Sequence, residues 1–376
     1  MSNTPISERV HIAIFGNCNS GKSSLLNAIA GQSVAVVSDI AGTTTDVVRK
    51  SIELNGVGAA VVIDTPGLDD NTALGTLRTA QSHKVLSKSD IAVVLLPVAD
   101  SFLATLRQLE IPIIKVIPKC DLIPAECRTD DAIAVSSTTG EGLEQLLGEI
   151  ARLCKSENRL ITESICSAGD RVILVMPQDA SAPKGRLIKP QVEVIRELLD
   201  RGCLPICCQT EGLQRALDSL SEPPAAIITD SSAFAAVKSH LPQGVKLTSF
   251  SILFARYKGD LELFKAGAEI LLTLPSDAKI LIAEACSHTP QSEDIGRVKL
   301  PRLLRKRLGE GITITNVGGD DFPEDLTAYD LIIHCGACMF NRRYVLSRIA
   351  AAKAQGVPMT NYGVAIAALL NMDLDL

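Results

Sequence analysis

The sequence contains no tryptophan and few other aromatics, 4 Tyr and 8 Phe in 376 residues. Stacking platforms for bases are therefore scarce. There is no basic excess either: the formal charge is −6, which argues against a nucleic-acid surface. Long apolar runs are missing. The stretch 91–98 is among the longest and Pro97 interrupts it, so no membrane segment is expected. No internal repeat, low-complexity tract or signal peptide is visible. Eleven cysteines at irregular spacing fit a reducing compartment better than a disulfide framework. The expectation is a cytoplasmic chain of two or three α/β domains.

The cysteines fall into two ligand-like groups. His334-Cys335-Gly336-Ala337-Cys338 follows the apolar run Leu331-Ile332-Ile333, and Cys286-Ser287-His288 ends another run, 279–285. Apolar runs of this kind read as buried strands that deliver the next residues to a sheet end. The pattern is C-x-H, 45 residues (289–333), then H-C-x-x-C. Three sulfurs and two imidazoles suit a closed Cys3His zinc site or an iron–sulfur cluster with one iron not held by thiolate. Spacing does not choose between them. Asp320, Asp321 and Glu324, in an acidic stretch between the two groups, could add an oxygen ligand.

At the other end, the apolar strand 10–15 runs into Gly16-Asn17-Cys18-Asn19-Ser20-Gly21-Lys22-Ser23, and a helical pattern covers 24–30. This is G-x-x-x-x-G-K-S between a strand and a helix, a phosphate loop in its required context. Its backbone N–H groups wrap phosphates, Lys22 reaches the β/γ oxygens, and Ser23 binds Mg²⁺. A polar loop, 41–46, contains Thr44. The strand 59–63 leads to Asp64-Thr65-Pro66-Gly67, where Asp64 can hold the Mg²⁺ sphere and Gly67 can offer its N–H to a γ-phosphate. Strands at 91–96, 112–117 and 132–135 end at Pro118-Lys119-Cys120-Asp121 and at Ser136-Ser137. Strand–loop–helix units in this order predict a mostly parallel, doubly wound P-loop sheet with ligands at the strands' carboxyl ends.

These motifs resemble the translation-factor-like GTPases, in the branch of the tRNA-modification GTPase MnmE and of Era. The resemblance implies GTP and GDP as ligands, on Gly16, Asn17, Asn19, Ser20, Gly21, Lys22, Ser23, Ser24, Asp64, Gly67, Lys119, Asp121, Ser136 and Ser137. Asp121 would pair with two guanine N–H donors. Ser23, Thr44 and Asp64 would surround Mg²⁺, and Lys22, Asn19 and Thr44 would form the catalytic set. Asn19 matches an asparagine that holds K⁺ in that branch. Two departures stand out: Pro118 replaces the Asn of N-K-x-D, and Leu68 takes the place of a water-orienting Gln. Slow, K⁺-stimulated hydrolysis is the expectation.

Beyond a small polar linker, 164–170, strands near 172–176, 204–208, 226–229 and 246–248 alternate with helices. This predicts a smaller α/β domain without catalytic signature, read as a dimerisation domain. Cys203, Cys207 and Cys208 read as buried strand cysteines. The expected division is 1–165 for the GTPase domain, 170–262 for the dimerisation domain and 263–376 for the cysteine-bearing α/β domain. A basic run, 302–307, reads as a solvated helix face.

A GTPase domain, a middle domain and a terminal C-x-H…H-C-x-x-C module together resemble the HydF family of [FeFe]-hydrogenase maturation proteins. That resemblance implies a [4Fe–4S] cluster on Cys286, Cys335 and Cys338 with an exchangeable fourth site, which makes 263–376 the expected iron–sulfur cluster-binding domain. His288 and His334 would be labile ligands or donors to the ligands. It also implies a diiron precursor as cargo, the radical-SAM maturases HydE and HydG and apo-[FeFe]-hydrogenase as partners, and a homodimer or a higher oligomer is expected. The rival reading is a regulatory or ribosome-associated GTPase with a structural zinc module.

Overall fold

The computed structural model describes residues 8–32, 36–40, 48–69, 85–124, 126, 128–155, 159–178, 185, 187–285, 294–319 and 321–372. The chain forms two compact units, Met1–Asn158 and Arg159–Leu376. Among the described residues no helix is long and apolar enough to cross a membrane.

The first unit is built on seven strands: β1 Val10–Gly16, β2 Val36–Ile40, β3 Val48–Leu54, β4 Gly58–Asp64, β5 Ile91–Leu95, β6 Ile113–Pro118 and β7 Ile133–Val135. Their order is β2-β3-β4-β1-β5-β6-β7. From β4 to β7 all neighbours are parallel, while β2, β3 and β4 form an antiparallel flank. Both faces of the parallel strands are covered, so β1 and β5 are apolar and buried almost throughout rather than alternating. The helices α1 Lys22–Gln32, α2 Asp100–Gln108 and α3 Leu143–Lys155 supply the crossovers. The Asn55-Gly56 turn joining β3 to β4 needs positive φ, and Gly56 takes +77°.

The second unit holds two four-stranded sheets, each wholly parallel. The first contains β8 Arg171–Val175, β9 Leu204–Cys208, β10 Ala226–Thr229 and β11 Lys246–Ser249, with α4 Lys189–Asp200, α5 Leu213–Asp218 and α6 Phe234–Lys238. Its order is β11-β10-β8-β9. Because β9 is the edge, Cys207 faces outward and is exposed, unlike the buried cysteine expected; Cys203, just before the strand, is buried. Then come α7 Phe250–Lys258 and α8 Leu261–Thr273. The second sheet, β13-β12-β14-β15, comprises β12 Lys279–Ala283, β13 Thr313–Val317, β14 Leu331–His334 and β15 Met359–Asn361. It packs with α9 Leu300–Leu308, α10 Arg342–Ala354 and α11 Tyr362–Leu369.

Helix α7 is apolar on two faces. Phe250, Leu253 and Phe254 enter the core under the first sheet of this unit. Ile252 and Ala255 enter the core under the second. Burial on both sides fixes the helix and leaves its last residue, Lys258, beneath the loop that follows β14.

Candidate functional site

In the first unit the phosphate loop leaves β1 at Gly16 and enters α1 at Lys22. A Cβ at Gly16 would lie 2.7 Å from Ser20 Oγ and 3.0 Å from Leu95 Cβ, so glycine permits the tight passage. Gly21 takes φ +100° and Asn19 takes +58°, left-handed values that turn the loop into the helix. Lys22 is buried and its Nζ donates to the carbonyls of Gly16 (3.1 Å) and Asn17 (2.8 Å). Burial lowers its pKa, opposed by the nearby Asp64, Cys18 and Asp69.

Asp64 ends β4 beside β1, in register with Ile14. The Ser23 hydroxyl donates to its Oδ2 at 2.5 Å. Its Oδ1 is buried with no hydrogen-bond partner. Burial raises the Asp64 pKa, while the Ser23 bond and Lys22 pull the other way. A hydroxyl, a carboxylate and an unsatisfied buried oxygen form a hard-donor set that fits Mg²⁺. Gly67 packs on the loop so closely that a Cβ would fall 2.3 Å from Cys18 Sγ. The Leu68 N–H donates to the Gly16 carbonyl (3.2 Å), and the Leu68 side chain joins an apolar cluster.

A cavity of about 260 Å³ opens beside the loop, lined by Ser20, Gly21, Ser24, Pro118, Lys119, Asp121 and Ser137, with Leu122 and Thr138. Lys119 takes φ +55° and its Nζ donates to the Asn19 carbonyl (2.9 Å), tying the base end to the phosphate loop. Ser136 has a different part. It is fully buried, and its Oγ accepts the N–H groups of Thr138 (3.3 Å) and Thr139 (3.1 Å), shaping the turn that presents Ser137. Asn17 donates to the Pro97 carbonyl (3.1 Å). Thr44 lies outside the described residues. Thr138 and Asp69 were missed by motif reading. The first was legible only as a polar residue after Ser136-Ser137.

In the second unit β12 and β14 are parallel neighbours, so both candidate ligand groups emerge from one sheet end. Cys286 and His288 lie outside the described residues. The Cys335 sulfur accepts the N–H of Ala285 (3.0 Å) and of Ala337 (3.4 Å), and hydrogen bonds to sulfur favour the thiolate. Ala337 reaches the second position by taking φ +46°. Cys338 is exposed. Its carbonyl accepts from Lys189 (2.7 Å), and Lys258 donates to the carbonyls of Ala337 (3.2 Å) and Phe340 (2.8 Å). Asn341 then caps α10 by accepting the Tyr344 N–H.

His334 is wholly buried with both nitrogens engaged: Nδ1 donates to the Cys335 carbonyl (2.6 Å) and Nε2 accepts from Arg348 (3.0 Å). Burial first, and Arg348 second, lower its pKa to about 3. Arg348 stacks on Phe322 and Tyr344 and donates to the Gly319 carbonyl (2.6 Å). Glu284 is buried beside this end, 3.5 Å from Arg297 and 3.4 Å from the Tyr362 hydroxyl. Burial, with Cys335 and Glu284 facing it, pushes the Tyr362 phenol up. Asp321 and Glu324 are exposed, and Asp320 lies outside the described residues. Among the described residues no three His, Cys, Asp or Glu side chains gather as a metal site. Cys335 and Cys338 nonetheless supply the soft sulfur donors that an iron–sulfur cluster requires.

Comparison with known proteins follows the same division. Residues 11–119 match the family described as 50S ribosome-binding GTPase. Residues 161–259 match the hydrogen maturase F dimerization domain, and 262–372 its tetramerization domain. The tRNA modification GTPase MnmE of Xanthomonas oryzae pv. oryzae is 40% identical over 149 residues, 36% of this chain and 32% of that protein. MnmE of Xanthomonas campestris pv. campestris is 34% identical over 200 residues, 50% of this chain and 44% of that protein. The chain thus spans a third to under half of these curated relatives. Among solved structures, the G domain of the T. maritima FeoB iron transporter is 24% identical, covering 39% of this chain and 99% of that one at TM-score 0.30. Aquifex aeolicus Era is 18% identical over 53% and 92%, at 0.33.

The first unit is therefore a P-loop GTPase domain, of the kind shared with MnmE. Residues 161–259 and 262–372 match two adjoining domains of a single family, and the chain belongs to hydrogen maturase F, HydF. It carries that family's dimerization and tetramerization domains.

Proposed function

We propose that this protein is a cytoplasmic GTP-hydrolysing scaffold in [FeFe]-hydrogenase maturation. It binds a [4Fe–4S] cluster, accepts a diiron precursor made with HydE and HydG, and delivers it to apo-[FeFe]-hydrogenase. The observation that carries this reading is the Cys335 sulfur, which takes two main-chain N–H groups at a sheet end within the domain that matches hydrogen maturase F.

Cys286, Cys335 and Cys338 would hold the cluster. When bound, it supplies an iron with an exchangeable site on which the diiron cargo can dock. The chain's own part is to hold the thiolates. The Ala285 and Ala337 amides stabilise the charge on Cys335. Lys258 and Lys189 pin the carbonyls of the loop. His334, with both nitrogens occupied, acts as a positioning group rather than a ligand.

In the first unit, guanine takes the cavity by Asp121, the phosphates take the loop, and Ser23 with Asp64 holds Mg²⁺. Asn19 would take K⁺. With the half-buried Leu68 side chain packed against an apolar cluster, no polar group at that position orients water, and turnover is slow. Nucleotide state acts on partner contacts rather than on the cluster.

The test is iron, sulfide and zinc content with an EPR spectrum after anaerobic reconstitution of wild type and Cys335→Ala. About four iron and four sulfide per chain, lost or distorted in the variant, is the expected result. About one tightly held zinc with no EPR signal would turn the reading to a regulatory GTPase with a structural zinc module.

A further inference from the structure

Asp69 lies two residues past Gly67, on a stretch pinned to the phosphate loop from both sides. The Leu68 N–H is bonded to the Gly16 carbonyl and the half-buried Leu68 side chain packs against an apolar cluster. Gly67 touches Cys18, with room for no Cβ: one would stand 2.9 Å from the Cys18 amide nitrogen. The next turn of chain carries the Asp69 carboxylate onto the loop, where its Oδ1 accepts the Cys18 N–H at 2.6 Å. The base cavity lies at the other end of the loop, by Ser20, Gly21 and Asp121. A nucleotide stretched from that cavity along the loop brings its last phosphate to the Cys18–Gly67 end. That is where an exposed carboxylate already takes an amide.

We propose that Asp69 is the residue by which this site distinguishes a nucleoside triphosphate from a diphosphate. Its carboxylate occupies the amide nearest the γ position, so a diphosphate leaves it in place and a triphosphate must displace it. Two anions compete there for the same N–H and repel each other. This inference rests on the reading of the first unit as a guanine-nucleotide domain.

The experiment is a calorimetric titration of wild type, Asp69→Asn and Asp69→Glu with GDP and with the β,γ-imido analogue of GTP, in Mg²⁺ buffer. Asp69→Asn should tighten the triphosphate analogue about tenfold and change GDP less than about twofold. Asp69→Glu, which keeps the charge, should keep the wild-type ratio. Retained GDP affinity reports an intact fold. An unchanged ratio in Asp69→Asn, weaker triphosphate binding, or equal weakening of both nucleotides would overturn the proposal. Failure of the wild type to bind either nucleotide would instead bring down the guanine-nucleotide reading, and this inference with it.

Discussion

Replacing Lys258 with Met should loosen the cysteine loop from beneath. The lysine is 2% exposed and ends α7, donating to the carbonyls of Ala337 and Phe340. Hydrogen bonds from a charged donor contribute about 1.5–3 kcal/mol each, so the two together come to roughly 3–6 kcal/mol. Part of that is offset, because Met removes the cost of keeping an ammonium out of water. The Ala337 carbonyl also keeps the Phe340 N–H as a partner (3.0 Å), so the loss falls mainly on Phe340. A net loss of about 2–4 kcal/mol remains, concentrated where the loop meets the helix. Urea unfolding of the full chain measures it. Alkylation followed by mass spectrometry locates it: half-buried Cys335 should label at least about tenfold faster through local opening, while exposed Cys338 changes little. Reconstituted iron should also be lost sooner. A variant within about 0.5 kcal/mol of wild type, with Cys335 labelling unchanged, would refute the reasoning.

Three further outcomes are expected. Asp121 lines the cavity, and the proposed pairing of its carboxylate with two guanine N–H donors predicts that Asp121→Asn, whose amide can donate, weakens guanine nucleotides by about a hundredfold and favours xanthine nucleotides, as read by competition titration. Gly67→Ala puts a Cβ 2.3 Å from Cys18 Sγ and 2.9 Å from its amide nitrogen. Nucleotide affinity should fall at least about tenfold, and Cys18→Gly should rescue it only in part, since the backbone contact remains. His11 is held to a pKa of about 4, by burial first and then by Arg49, Lys88 and Arg9. The Asp90 carboxylate, 4.0 Å from Nδ1, is partly exposed and already accepts the His11 main-chain N–H, so it does not hold an imidazolium. The unfolded chain takes its proton near pH 6.5 and the folded chain only near 4, so stability is full above pH 6.5 and drains as pH falls between them. The slope is about 1.4 kcal/mol per pH unit, roughly 3 kcal/mol in all. The difference between wild type and His11→Leu across pH 7 to 4.5, by urea unfolding, should show that slope; a parallel pair of curves would contradict it.

Much of this protein is legible without coordinates because the relevant chemistry is local. A phosphate loop needs left-handed backbone within a few residues, and Gly21 and Asn19 announce it. Strands buried on two faces must be apolar throughout, so β1, β5 and β14 stand out as runs. Parallel strands deliver their next residues to the same sheet end, so Cys335-x-x-Cys338 after β14 and the run ending at β12 were readable as one place. The expected class of fold, a P-loop GTPase domain followed by smaller α/β domains, stands on these signals.

Other features depended on what packs against what. Cys207 sits in a strand pattern that fits a core, yet β9 is an edge, and strand order is a property of the whole sheet. Ser136 reads as a nucleotide contact, but burial turns its hydroxyl to its own turn. His334 reads equally as a labile ligand or as a donor to the ligands, and only the fold shows Arg348, 14 residues on, bonded to its Nε2. Lys258 lies 79 residues before Ala337, and Asp69 lies 51 residues after Cys18. Sequence alone determined the strands, the turns and the chemically able residues, because those follow from each residue and its near neighbours. Which amide Asp69 takes, which carbonyls Lys258 holds and which partners occupy the nitrogens of His334 were decided only when cores formed by distant segments brought those groups together.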